Sequence, residues 1–198
     1  MKRLNLMSIS ALLLLSFALV LPASAHIRQG TTVLQGNASL SSSSGALYNN
    51  ATVTNFVLAP AVRYFIADHW ALGGQMYLNY IKQGPAHSTN FELGPSGAYY
   101  FGNLDAKTIP YVGTSLLFRT LSSQAGGQNT STSDNGTALS FFGGLSLFLT
   151  EHLAVTPEVA VNLESLGGHA GTTVLFGAGL AGFLYRTTAA PGGHTRVR

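Results

Sequence analysis

An acid stands directly before a histidine twice in this chain, in "FIADHWAL" from Phe65 to Leu72 and in "FLTEHLAV" from Phe148 to Val155. A carboxylate can orient an imidazole for proton transfer, so Asp68 with His69 and Glu151 with His152 are candidates for acid–base chemistry. A third arrangement places His169 near Ser165, Glu164 and Thr172, the types needed for a hydroxyl nucleophile with an adjacent base. "GAGLAG", Gly177 to Gly182, has the G-x-G-x-x-G form. It lacks a preceding βαβ unit, a following helix and an acid about twenty residues on, so small residues in a strand explain it better than a dinucleotide site. The histidines, His26, His69, His87, His152, His169 and His194, include no close pair at metal-ligand spacing. Cysteine is absent, which removes disulfides and thiolate ligands. No catalytic residue, cofactor or metal is therefore expected, and the acid/histidine pairs must be judged by the elements around them.

Those elements alternate with period two in segments of about ten residues, the signature of half-buried strands. In "LAVTPEVAVNLE", Leu153, Val155, Pro157, Val159, Val161 and Leu163 share one face; Ala154, Thr156, Glu158, Ala160, Asn162 and Glu164 share the other. Strands are expected at about 31–41, 54–66, 71–82, 90–101, 109–121, 137–149, 153–164 and 172–185. The connections after the first, third, fifth and seventh are polar and mostly long, as in "SSQAGGQNTSTSDNG"; the others are shorter on average, such as "ADHW" and "TEH". An even strand count with loops at one end and turns at the other is the layout of a transmembrane β-barrel. Pro60, Pro95 and Pro157 fall inside strands and should mark irregularities, because proline cannot donate to a ladder.

The N-terminus reads as a secretory signal peptide: Lys2 and Arg3, the apolar run "ALLLLSFALVL", then "ASA" ending at Ala25. The expected organisation is a signal peptide over 1–25, cleaved after Ala25, a barrel over 26–185 and a tail over 186–198. Of the 10 basic residues two lie in the signal peptide and three, Arg186, Arg196 and Arg198, in the tail, so no basic stripe runs through the body and nucleic acid is not an expected partner. Charged residues make up 9% of the chain, against about 25% in a typical soluble domain.

Where the few charges go separates a membrane barrel from a soluble one. Arg63, Glu92, Arg119, Glu158 and Glu164 share the face of Gly73, Gly94, Gly113, Ser115 and Gly144. As an apolar core that face would be poor, since unpaired charges there are costly. Turned inside out, the apolar face meets lipid and these five residues form structural ion pairs in the lumen. Tyr64, Phe65, Trp70, Tyr99, Tyr100, Phe101 and Phe148 flank the turns as an interfacial girdle. Asn37, Asn50, Asn129 and Asn135 each begin N-x-S/T, which in polar loops needs no glycan to explain it.

In "LAPAVRYFIADHWALGGQMYLNY", "LGPSGAYYFG", "IPYVGTSLLF", "FFGGLSLFLTEHLAVTPEVAV" and the closing "FGAGLAGFLY", the chain resembles the OmpA/OmpX-like outer-membrane β-barrel domain family, the small porin-family outer-membrane proteins. The likeness runs through nearly all of the chain after the signal peptide, in degenerate motifs whose order and spacing carry it. It implies an all-β, eight-stranded antiparallel up-and-down barrel in the bacterial outer membrane, in contact with its lipid and lipopolysaccharide. It also implies insertion by the barrel-assembly machinery and turns facing the periplasm. It implies no catalytic residues, because these barrels share a scaffold more than an activity. The tail after Tyr185 departs from the family, whose last strand usually ends the chain in an aromatic, and no peptidoglycan-binding domain is recognised. The expected function is non-enzymatic: a barrel plugged by side chains, with a structural or surface-interaction role through its loops, chiefly Ser41 to Thr52 and Ser122 to Gly136. The alternatives are a narrow porin-like channel and a lipid A-modifying enzyme using His169, although the H-x-S-N pattern of the latter is absent. On this reading the Asp-His and Glu-His pairs are one periplasmic turn used twice.

Overall fold

The computed structural model describes residues 25–44, 52–125 and 131–185. The signal peptide up to residue 24, the tail, and the connecting residues 45–51 and 126–130, with Asn50 and Asn129, lie outside the described residues. Eight strands follow in chain order: β1 (Thr32–Ser43), β2 (Val53–Ala67), β3 (Trp70–Gln83), β4 (Ala86–Tyr100), β5 (Thr108–Gln124), β6 (Ser131–Thr150), β7 (Leu153–Leu166) and β8 (His169–Leu184). Each pairs antiparallel with the next and β8 returns to β1, giving a closed up-and-down barrel.

Alternation along each strand sorts the side chains into two environments. Arg63, Glu92, Ser96, Ser115, Ser140 and Thr156 point inward and are buried, whereas Leu34, Val62, Leu93, Phe118, Phe141, Val161 and Leu180 point outward and are exposed. A soluble protein buries such residues; here they cover the outside of the wall.

Of the four strand prolines, Pro110 sits near the start of β5 opposite Leu145, and the other three interrupt the ladder on one side only. Pairing passes from Leu58↔Leu78 to Ala61↔Gln75 beside Pro60, from Leu93↔Phe118 to Ser96↔Ser115 beside Pro95, and from Gly144↔Glu158 to Leu147↔Val155 beside Pro157. The register is the same before and after each gap, so the missing N–H costs local pairing without shifting any face.

Two expectations need correction. The polar segments after β3 and β5 are largely strand rather than loop: the β3–β4 ladder runs to Gln83↔Ala86 and the β5–β6 ladder to Gln124↔Ser131. Serine and threonine there mark the point where the wall leaves its apolar band, not the point where pairing stops. The β7–β8 hairpin likewise closes at Leu166↔His169 through Gly167 and Gly168, both at positive φ, as a tight two-residue turn requires.

The aromatic girdle is the second correction. Tyr64, Trp70, Tyr99 and Phe101 lie on the outer surface, with Trp70 and Phe101 packed edge-on against Tyr99 at 5.0 and 4.9 Å. Phe65, Tyr100 and Phe148 instead point inward and are buried, because adjacent residues of a strand face opposite ways.

Candidate functional site

The two acid/histidine turns share a plan, though only His69 takes a positive φ, 72°. Each follows a register shift, between Phe65 and Ala67 in one and between Phe148 and Thr150 in the other. In each, the histidine accepts and donates toward the strand beyond: the Tyr100 amide donates to the His69 carbonyl at 2.9 Å, and the Phe183 amide to that of His152 at 2.8 Å. The ring completes the clamp, His69 Nδ1 lying 2.7 Å from the Tyr100 carbonyl and His152 Nδ1 2.9 Å from that of Phe183. A carbonyl only accepts, so Nδ1 is the protonated nitrogen in both. Neither carboxylate hydrogen-bonds its neighbouring imidazole among the described residues; Asp68 accepts from the Gln29 amide at 3.2 Å. The geometry is that of a corner pinned to the adjacent strand, and no proton relay is assembled.

Below the turns, residues 26–31 fold across the turn end of the barrel. The Ile27 amide donates to the Leu104 carbonyl and its side chain is buried; Ala25, the last residue before the expected cleavage point, lies against Ala106. Arg28 donates to Asp105 at 2.8 Å, and this hydrogen bond holds the Asp105 carboxyl below its ordinary range. Above this strap, Val33, Phe65, Tyr100, Ile109, Tyr111, Phe148 and Phe183 fill the lumen as one apolar layer. Tyr100 lies between Phe65 and Tyr111, with ring centroids 5.0 and 5.3 Å away.

The five lumenal charges form two layers over that apolar base. In the first, Arg63 donates to Ser96 at 2.9 Å, Gln35 at 3.0 Å and Gln75 at 3.2 Å, and its guanidinium lies 4.7 Å from the Phe142 ring centre. Gly113 makes room for that ring, since a Cβ there would stand 2.3 Å from it. Glu158 accepts from Tyr111 at 2.8 Å and from Gln35 at 3.2 Å. Arg63 and Glu158 thus form no direct ion pair with each other; Gln35 bridges them. Sequence reasoning assigns Gln35, Tyr111 and Ser96 no role, because their contacts cross the lumen between strands far apart in the chain.

Nearer the loop end, Arg119 lies 3.3 Å from Glu92, pairs with Glu164 and donates to Asn90 at 2.8 Å. Asn90 in turn donates to Glu92 at 2.9 Å. Arg119 is thereby held between two carboxylates. That engagement removes Glu164 from the hydrolase arrangement, and the pleat sends Ser165 and Thr172 outward while His169 lies on the lumenal side opposite Leu166. No group of three metal-ligating side chains occurs among the described residues.

No family model and no curated protein matches the chain. Solved structures do. Neisserial surface protein A superposes with a TM-score of 0.57 at 17% identity, over 79% of this chain and 99% of that one. The N-terminal β-barrel domain of Pseudomonas aeruginosa OprF gives 0.51 at 14% identity, over 80% of this chain and 100% of that one. Both are eight-stranded outer-membrane β-barrels of the OmpA/OmpX-like type, and that is the fold this chain has.

Proposed function

We propose that this chain is an exported, integral bacterial outer-membrane barrel without enzymatic activity, plugged at its turn end and acting through the opposite end as a structural or surface-interaction module. The observation that carries the reading is the inverted distribution of side chains. Exposed Leu, Val and Phe cover the outer wall, while Arg63, Glu92, Arg119, Glu158 and Glu164 sit inside. Water would penalise that apolar surface, whereas acyl chains accept it, and the sheet, paired strand to strand except where β1 and β8 part beyond Gly36, leaves few backbone groups to be solvated. In this orientation the acid/histidine turns face the periplasm, lipopolysaccharide meets the wall, and the barrel-assembly machinery inserts the chain.

The plug reading is supported over the pore by the aromatic layer and the strap at 26–31, which pack across the turn end. The expected result in a planar bilayer is the absence of discrete conductance steps; stable single-channel openings would favour the channel reading. The membrane reading is tested by fractionation together with gel mobility of boiled and unboiled protein. Outer-membrane recovery with a mobility change on boiling is expected. A soluble protein whose mobility ignores boiling would exclude it. Lipid A mass spectra that change on expression, and revert in His169→Ala, would instead favour the enzyme.

A further inference from the structure

The wall is closed unevenly. β1 meets β2 from Thr32↔Tyr64 to Ser43↔Val53, but meets β8 only from Thr32↔Leu184 to Gly36↔Leu180. Beyond Gly36 the two strands part, leaving Asn37–Ser43 of β1 and His169–Gly179 of β8 unpaired with each other. Space at the glycines agrees: a Cβ on Gly179 would meet the Gly36 carbonyl at 2.6 Å, whereas one on Gly177 would meet nothing within 4 Å. Behind the gap lies a cavity of about 370 Å³ whose lining includes Tyr77, Gln75, Asn162, Thr156 and Leu175.

We infer that this cavity is a binding site reached sideways from the lipid, with the β1–β8 seam as its door, and that it takes a single-chain amphiphile with an uncharged, hydroxyl- or amide-bearing head. The inference rests on the membrane reading above. Three observations carry it. First, the seam is fitted to close. Continuing its register sets Asn37 against Gly179 and Ser39 against Gly177 on the lumenal side, and Leu40 against Phe176 on the outer side. Leu40 and Phe176 are the most exposed large apolar side chains among the described residues, at 73% and 78%. No proline stands in either edge.

Second, the open edges present backbone N–H and C=O groups that hydrocarbon alone cannot satisfy. An occupant must therefore bring donors and acceptors as well as an apolar chain. Third, the charges on the cavity wall are engaged already. Arg63 donates through all three of its nitrogens to neutral side chains, Glu158 accepts from Tyr111 and Gln35, and Glu92 is held by Arg119 and Asn90. The buried Thr156 hydroxyl, 1% exposed, lines the cavity without a partner. The head meets this hydroxyl and the free edges; the tail leaves past Leu175 and Phe176 toward the bilayer.

The chain's lack of cysteine makes the test clean. Leu40→Cys/Phe176→Cys is folded into phosphatidylcholine vesicles, its heat-modifiable mobility verified, and the seam closed by oxidation or the shortest thiosulfonate cross-linker. Binding of a fluorescent monoacylglycerol is then titrated in the open and closed forms. The open form is expected to bind saturably, the closed form at least about tenfold more weakly, and Thr156→Val in the open form about threefold to tenfold more weakly through loss of one hydrogen bond. Equal binding by open and closed forms, no saturable binding by the open form, or thiols that fail to cross-link in a heat-modifiable barrel would each overturn the door. Loss of heat-modifiable mobility in the unsubstituted chain would instead overturn the membrane reading beneath it.

Discussion

At the scale of single residues, the two histidines beside acids act through their backbones and one ring nitrogen each. His69→Ala and His152→Ala should each lose about 1 kcal/mol with the ring-to-carbonyl bond, and His69→Ala should cost the more, because His69 alone of the two holds a positive φ, 72°. Asp68→Asn should leave the His69 clamp intact. Urea titrations of the refolded barrel would read both. Arg119 carries more weight, because removing it strands two carboxylates in the lumen. Arg119→Met should cost about 3 kcal/mol, the lower end for breaking a buried pair, since the side chain is 15% exposed. Adding Glu92→Gln and Glu164→Gln should restore much of the loss; if it does not, the charge balance is not what that layer supplies. The Arg28–Asp105 bond gives a pH signature. Its lowered folded carboxyl means the stabilisation is fully present above the unfolded value of about 3.9 and fades as pH falls through the lower folded value. Protection of the strap amides, with intrinsic exchange divided out, should therefore fall in acid, and Arg28→Gln should weaken that dependence, leaving only His26, 3.1 Å from Asp105.

At the scale of elements, the glycines tell where the wall is tight. A Cβ on Gly73 would stand 1.9 Å from the Val62 carbonyl oxygen, and one on Gly94 the same distance from that of Leu116. Gly73→Ala or Gly94→Ala should each destabilise the barrel by about 1–3 kcal/mol through forced backbone movement. Gly177→Ala, facing open space, should change stability by less than about 0.5 kcal/mol. The same unfolding titration separates them. Strand number, order and inward face were legible in the sequence because period-two alternation is local: Arg63, Glu92, Arg119, Glu158 and Glu164 lie on the face that alternation assigns them. Strand ends were not. Ser122 and Ser123 read as loop by polarity, yet they continue a ladder whose backbone bonds are indifferent to whether the side chains meet lipid or water. The aromatic pairs misled for the opposite reason: Tyr99 and Tyr100 are alike in chemistry, and only the pleat sends one outward and the other into the plug.

At the scale of the whole molecule, what the sequence could not carry are contacts across the lumen and the closure of first strand on last. Gln35 reaches Tyr111 and Glu158 only once the ring has formed, and no local pattern records that β1 and β8 part beyond Gly36. What it did carry is the inversion of polar and apolar faces, and that inversion is the central claim. The single tryptophan, Trp70, offers the most direct test: it lies on the outer surface at the turn end, 52% exposed and packed against Tyr99. Its fluorescence would be measured with the barrel folded into vesicles whose lipids carry bromine at successive depths. With the wall against lipid, bromines near the headgroup end of the acyl chain should quench Trp70 strongly, and the quenching should be lost when urea unfolds the protein. Water-like emission, unquenched at every depth in a folded barrel, would contradict it.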